Sequence, residues 1–210
     1  MKINELTISE EAELNLIGME IDGKLITKDT MDDRWEGNFS CSSMGLTSLK
    51  GAPLSVTGHF WCHSNRLVSL EGAPAYVQDD FYCAGNLLIS LKGAPDHIGG
   101  SFNCEYNRLA TIEGAPRTID NGFYCEHNQI TSLKDVHKIT KEIRWKFGAK
   151  NNPIESHVLG LLLVEGLHVV NLDNAQVQGI LNTYVREGRS ALLACQNELL
   201  DNGFEEYAKL

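Results

Sequence analysis

The chain has 210 residues, a net charge of −10, 42% hydrophobic and 22% charged residues, a balance ordinary for a soluble folded protein and one that argues against wholesale disorder. The acidic excess also argues against a general nucleic-acid or membrane-surface binder, because either needs a surplus of Lys and Arg facing phosphates, and no apolar run approaches the roughly 18 residues of a membrane span. Charge is uneven: 4 Lys/Arg face 10 Asp/Glu over residues 1–38, 11 face 10 over 39–152, and 3 face 8 over 153–210, so acidic ends bracket a neutral middle.

Residues 1–38 are expected to form an α+β N-terminal cap. The segment lacks the basic region and apolar stretch of a signal peptide, so the expected location is the cytoplasm. There, the six cysteines are thiols or metal ligands rather than disulfides. Ser9-Glu10-Glu11-Ala12-Glu13-Leu14 carries a helix-start signature, with Ser as N-cap and acids in the first turn. The stretch from Ile17 to Ile26, around Asp22-Gly23, reads as a small hairpin.

Residues 39–152 repeat. Cys41, Cys62, Cys83, Cys104 and Cys125 stand 21 residues apart, and other columns keep the same step. Phe39, Phe60, Phe81, Phe102 and Phe123 precede each Cys by two. Asn65, Asn86, Asn107 and Asn128 follow it by three, Met44 holding that place in the first turn. Leu or Ile follows at five and at eight, then Gly-Ala-Pro at 51–53, 72–74, 93–95 and 114–116, then Val56, Val77, Ile98 and Ile119. Phe-x-Cys-x alternation predicts a strand burying every second side chain. The Asn turns the chain, and its amide can bond the backbone of its own and the neighbouring turn as a ladder beginning in the second turn. Gly-Ala-Pro predicts an extended return path poor in hydrogen bonds. One turn cannot bury its own apolar edge, so the turns stack around a shared core.

This pattern resembles the short leucine-rich repeats of bacteria, with Phe, Cys, Asn and Leu where that family has Leu, Leu, Asn and Leu. Its Leu-x-Ser-Leu-x-Gly-Ala-Pro wording is similar to a group often encoded by bacteriophages, as are Asn152-Pro153-Ile154-Glu155 and Cys195-Gln196-Asn197-Glu198-Leu199 in the tail. The resemblance implies a leucine-rich-repeat solenoid with short parallel strands and few helices in the repeats, and brings no shared activity with it. The expected organisation is five 21-residue turns plus an irregular terminal turn. Departures mark that last turn: Asp135-Val136-His137 replaces Gly-Ala-Pro, and Ile143 and Trp145 are placed in the Phe and Cys columns after a one-residue deletion, with Trp145 as a plug. Residues 153–210 read as a helical C-terminal cap with helices over about 153–165, 174–187 and 190–201, stopped by Gly166, Gly188 and Asn202-Gly203.

The cysteine column is the most conspicuous chemistry-capable feature. Thiols stacked one per turn lie in a line about 5 Å apart, whereas a metal site needs three or four ligands converging on one point. Buried thiols filling a narrow core are therefore expected. Alternation places Cys62 inside and His63 outside, so His59, Cys62 and His63 do not share zinc, and no metal or cofactor is expected. Cys195 could serve as the nucleophile of a transferase, but its helical stripe turns it inward and Ala194 and Gln196 supply no local acid.

The column between Phe and Cys is Ser40, Trp61, Tyr82, Asn103 and Tyr124; beside it run Ser42, His63, Ala84, Glu105 and Glu126. Exposed aromatics on one sheet face offer the area, rigidity and polar tips of a protein-binding hot spot, although aromatics also stabilise exposed strand pairs. Trp61, His63, Tyr82, Asn103, Glu105, Tyr124 and Glu126 form the expected partner-binding set, with Tyr106 at its rim. Lys138, Lys141, Arg144, Lys146 and Lys150 form a secondary basic patch that could meet an acidic partner or a phosphate, or serve as a solvated face. The expected function is a non-enzymatic module that binds a protein, a host protein if the chain is phage-encoded. The alternatives are the Cys195 transferase and a structural or self-assembling component.

Overall fold

A computed structural model describes residues 16–21, 24–26 and 34–210; the helix expected over residues 9–14 lies outside them. The hairpin is present: β1 (Glu20–Ile21) pairs antiparallel with β2 (Lys24–Leu25). Leu16, Ile21 and Ile26 are buried against the first turn of the coil, where the Leu16 amide donates to Lys50 O.

From residue 34 onward the chain is a parallel-strand repeat solenoid of about seven turns. Each turn contributes two very short strands to two separate sheets. One sheet has six strands: β3 (Arg34–Trp35), β5 (Ser55–Val56), β7 (Tyr76–Val77), β9 (His97–Ile98), β11 (Thr118–Ile119) and β13 (Glu142–Ile143). The other has seven: β4 (Phe39–Ser40), β6 (Phe60–Trp61), β8 (Phe81–Tyr82), β10 (Phe102–Asn103), β12 (Phe123–Tyr124), β14 (Lys146–Gly148) and β15 (Val169–Asn171). The expected Phe-x-Cys strand is the second kind. The Val/Ile column carries the first kind as well, a strand that two residues of alternation are too short to announce.

Register follows the columns: Phe39 pairs with Phe60, Phe60 with Phe81, and so on to Phe123 with Phe147. The six phenyl rings form a continuous buried stack with successive centroids 5.0 to 5.6 Å apart. Full burial of such a ring stabilises the fold by about 2 to 3 kcal/mol, so this stack and the Leu columns dominate the core. All six cysteines are free and buried.

The Asn ladder is formed. Asn65 accepts from the amides of Met44 and Leu46 and donates to the carbonyls of Cys41 and Cys62, reaching back to serve the first turn that lacks its own Asn. Asn86, Asn107, Asn128 and Asn152 repeat the pattern, each tying its own turn to the one before. The position just before each ladder Asn, and before Met44 in the first turn, is left-handed: Ser43, Ser64, Gly85, Tyr106, His127 and Asn151 all have φ between 53° and 64°.

A tight turn over Leu/Ile-x-Gly-Ala carries the chain into the segment where only an extended, hydrogen-bond-poor path was expected. The Ala amide donates to the carbonyl of the second Leu or Ile at 2.9 to 3.0 Å in all four copies, while Gly51, Gly72, Gly93 and Gly114 sit at φ between 83° and 98°. That is a type II turn, whose third residue requires positive φ. The Ser or Thr before the second Leu accepts from the amide two residues on, as in Lys50 to Ser48 Oγ at 3.1 Å. Its hydroxyl prepares the turn.

The irregular turn is an insertion, not a deletion. Ile119 pairs with Ile143 and Phe123 with Phe147, so Ile143 stays in the Val/Ile column while Phe147 and Ala149 take the Phe and Cys places. Asp135 holds the left-handed Gly position at φ 60°, and a four-residue helix, α1 (Val136–Ile139), absorbs the extra length. Trp145 is consequently not a plug; it is 47% exposed. Of the helix expected over 153–165 only a five-residue 3-10 helix forms, Leu159–Leu163, after an irregular stretch. The chain then returns as β15 against β14.

Two helices follow, α2 (Ala175–Tyr184) and α3 (Leu192–Asp201), the first N-capped by Asn174. They bury Val177, Ile180, Leu181, Cys195 and Leu199 against the coil end. Where a further turn would pair with β15, the Asn182 side chain accepts from Val170 N at 2.7 Å and donates to Val170 O at 2.8 Å, and Gln178 accepts from Leu172 N at 2.9 Å. Side-chain amides thus close the strand edge that would otherwise template aggregation.

Candidate functional site

The outward positions of the seven-stranded sheet form three parallel columns. Phe and Cys point inward, so the residues before Phe, between Phe and Cys, and after Cys all face out. The middle column, Ser40, Trp61, Tyr82, Asn103 and Tyr124, is in register strand to strand. Beside it stand His63, Ala84, Glu105 and Glu126, half-buried like Trp61, Tyr82, Asn103 and Tyr124. The seven residues singled out from the sequence therefore share one face. They lean on one another more than exposed aromatics would.

The column before Phe adds groups that had not been singled out as face residues. Asn38 Oδ1 accepts from His59 N at 3.0 Å, His59 Nδ1 from Asp80 N at 3.1 Å, and Asp80 Oδ1 from Ser101 N at 2.6 Å. Each side chain thus caps the amide of the next turn. His59 Nδ1 also lies 3.3 Å from the Asp80 carboxylate. The His59 ring stacks on Trp61, centroids 5.4 Å apart and 9° from parallel, and Tyr82 Oη donates to Asp80 at 3.4 Å. The parity that placed Trp61 outward also places His59 and Asp80 outward, and that was the available signal.

Between Trp61, His63 and Tyr82 lies an open depression of about 420 Å³. Farther along, Asn103 is fixed by Glu105, donating to its carboxylate at 2.9 Å and accepting from its amide at 3.0 Å. Tyr124 lies over Gly122, where a methyl group would meet the ring at 2.6 Å, and the Lys146 ammonium stands 5.3 Å from its centroid. Glu126 lies over Gly148. Burial, and secondarily Glu105, pushes its carboxyl above the ordinary range, and its Oε2 is buried without a hydrogen-bond partner. Burial also raises the phenols of Tyr82 and Tyr124, with Asp80 and Glu126 respectively as the next cause. At the rim, Tyr106 stacks on His127 at 4.1 Å, and both rings rise from left-handed backbone. Such a conformation disfavours bulky residues.

The basic run is divided by the fold. Lys138 pairs with Asp135 at 2.6 Å and Lys141 donates to His137 O. Arg144 follows β13 and binds Glu142 and Asp120 on the other sheet. Lys146 belongs to the aromatic face, and Lys150 continues the column of Glu105 and Glu126. The five cations do not make one patch.

Burial pushes the thiols of Cys41 and Cys195 up to about 12, with Glu198 adding to the effect at Cys195. Cys83 and Cys125 Sγ donate to backbone carbonyls of the next turn. Among the described residues, no group of three or more His, Cys, Asp or Glu could hold a metal ion, and no helix is long and apolar enough to cross a membrane. No protein-family model matches the chain, and no curated protein or solved structure is significantly similar to it.

Proposed function

We propose that the chain is a non-enzymatic protein-binding module whose partner docks on the outward face of the seven-stranded sheet. The observation that supports this reading is the depression between Trp61, His63 and Tyr82, with Tyr124 farther along the same column. Flat aromatic side chains held in place by their neighbours bring large contact area at little entropic cost. The six free thiols suit a reducing compartment such as the cytoplasm. If the phage-like wording reflects origin, the partner is a host protein. The inward, high-pKa thiol of Cys195 lacks the exposure and thiolate character a nucleophile needs.

Affinity capture from a cell lysate with wild type and with the Trp61→Ala/Tyr82→Ala/Tyr124→Ala variant tests the reading. Loss of specific partners from the variant, with its thermal unfolding still cooperative, is expected. Equal recovery of every captured protein by both would remove this face from the function.

A further inference from the structure

The helical end of the chain holds a cavity of a different kind. Where the chain returning from the 3-10 helix Leu159–Leu163 meets the end of α2, residues 162–168 and 185–189 border about 230 Å³ of space, room for a small ion and several waters at about 30 Å³ each. Its floor is buried and apolar, built from Leu162, Leu167 and Val185. Its rim is exposed and charged: one segment supplies Glu165 and His168, the other Arg186 and Arg189. Left-handed glycines shape both segments, Gly166 at φ 73° and Gly188 at φ 59°. A methyl group on Gly188 would stand 3.3 Å from Leu162 O, so the two segments are closely packed there. The His168 ring is fixed by a hydrogen bond from Nδ1 to Gly166 O at 2.6 Å.

The charges at this rim are unlike those of the rest of the cap. Residues 153–210 carry 8 acids and only 3 cations, Arg186, Arg189 and Lys209. Lys209 pairs with Glu206. The two arginines ion-pair with no acid among the described residues, Glu165 on the same rim and Glu187 between them in sequence included. A guanidinium that meets none of so many carboxylates keeps its planar fork of N–H donors free. The neighbouring coil end adds charge of the same sign. Burial, then Lys138, with Lys141 and Arg189 behind, holds the His137 imidazole below its ordinary range against the opposing effect of Asp135. Lys141 also adjoins the cavity, its carbonyl accepting from Glu165 N at 2.9 Å. Arg144 packs against Gly166 but is paired with Glu142 and Asp120.

We propose that this cavity binds a tetrahedral oxyanion of phosphate type, held between the guanidinium groups of Arg186 and Arg189. The fork of each Arg matches two oxygens of such an anion at once, and an apolar floor strengthens the attraction by keeping water from one side of it. Glu165 lines the same space and opposes an anion, so removing its charge strengthens binding. The site shares no residue with the aromatic face and does not rest on the docking proposed there.

Equilibrium dialysis of the full chain against radiolabelled inorganic phosphate, in chloride at constant ionic strength, tests the proposal. Saturable binding of a single phosphate per chain is expected, with a dissociation constant of about 1 mM or below. Arg186→Gln/Arg189→Gln should weaken it about tenfold or more, and Glu165→Gln should strengthen it about threefold. Arg66→Gln/Arg108→Gln, which removes two exposed cations from the repeats, should leave it unchanged, as should the aromatic triple variant. Phosphate should raise the unfolding temperature of the wild type and not that of the Arg186/Arg189 variant, whose unfolding in phosphate-free buffer should match wild type; this separates a lost site from a lost fold. Competition with glycerol 3-phosphate identifies the source of the anion: displacement by the ester at lower concentration than by unlabelled phosphate assigns the site to an organic phosphate, and the reverse order to the free ion. No saturable binding by about 10 mM, equal weakening by the two arginine pairs, or weakening by Glu165→Gln each overturns the proposal.

Discussion

The Leu-turn corner and the seven-stranded face are built by the same turns and solve opposite problems. At the corner every repeat spends its residues on itself: a Ser or Thr hydroxyl meets the amide two residues on, Gly takes positive φ, Ala closes the turn, and exposed charges alternate in sign. In the four Gly-Ala-Pro copies the corner varies only by Thr for Ser, Ile for Leu and the sign of a solvated side chain. On the face, position-equivalent residues are Trp61, Tyr82, Asn103 and Tyr124, or His63, Ala84, Glu105 and Glu126, and the last two stack like charge on like. Repetition marks what holds the coil together, and departure from it marks what the coil is free to offer.

Breaking the scaffold should cost most. Asn107→Ala strands the carbonyls of Cys83 and Cys104 and the amide of Leu88 in a buried environment. At about 1 to 3 kcal/mol for each unsatisfied group, urea unfolding should show a loss of about 3 kcal/mol or more. Gly93→Ala comes next: its Cβ would stand 2.4 Å from Leu70 C and O at φ 93°, for an expected loss of about 2 to 3 kcal/mol. Gly85→Ala, also left-handed but with nothing nearer than 3.7 Å, should lose only about 1 kcal/mol, and a reversal of that order would discredit the turn assignment.

The thiols sharpen the comparison through pH. The Cys41 and Cys195 thiols rise to about 12 in the folded chain from 9.0 when exposed. A raised folded value means stability is fully present below about pH 9 and is lost as pH climbs from there toward 12. The urea midpoint should therefore hold between pH 7 and 8.5 and fall steeply by pH 10.5. Thiol titration at pH 8 should find the cysteines unreactive until urea unfolds the chain. At the small end, Lys92→Ala breaks the ion pair with exposed Glu71 and should not move the unfolding midpoint measurably.

How much of this was legible depended on whether a feature repeats at a fixed step. The Phe, Cys, Asn and Leu columns were, because each stands at 21-residue intervals. The second sheet was not, since one inward Val or Ile flanked by unrelated residues shows no alternation. The last turn misled because α1 lengthens it, so Phe147 falls out of step and Trp145 lands close to the expected place. The left-handed column was hidden because only Gly85 among its six members declares positive φ. Parity alone set Trp61, Tyr82 and Tyr124 on one face. It could not reveal that the rings of His59 and Trp61, two residues apart in one turn, stack on each other, or that Lys146 crosses from the next turn to Tyr124.

The Asn182 amide, which binds both backbone groups of Val170, reads a single strand and nothing behind it. A terminator of that kind is indifferent to how many turns precede it. Whole 21-residue units can then be inserted or removed ahead of it, and the array still stops in the same way. What changes is the distance along the face between one aromatic and the next, so that unit number becomes the variable by which such a coil could be refitted to a longer or shorter partner.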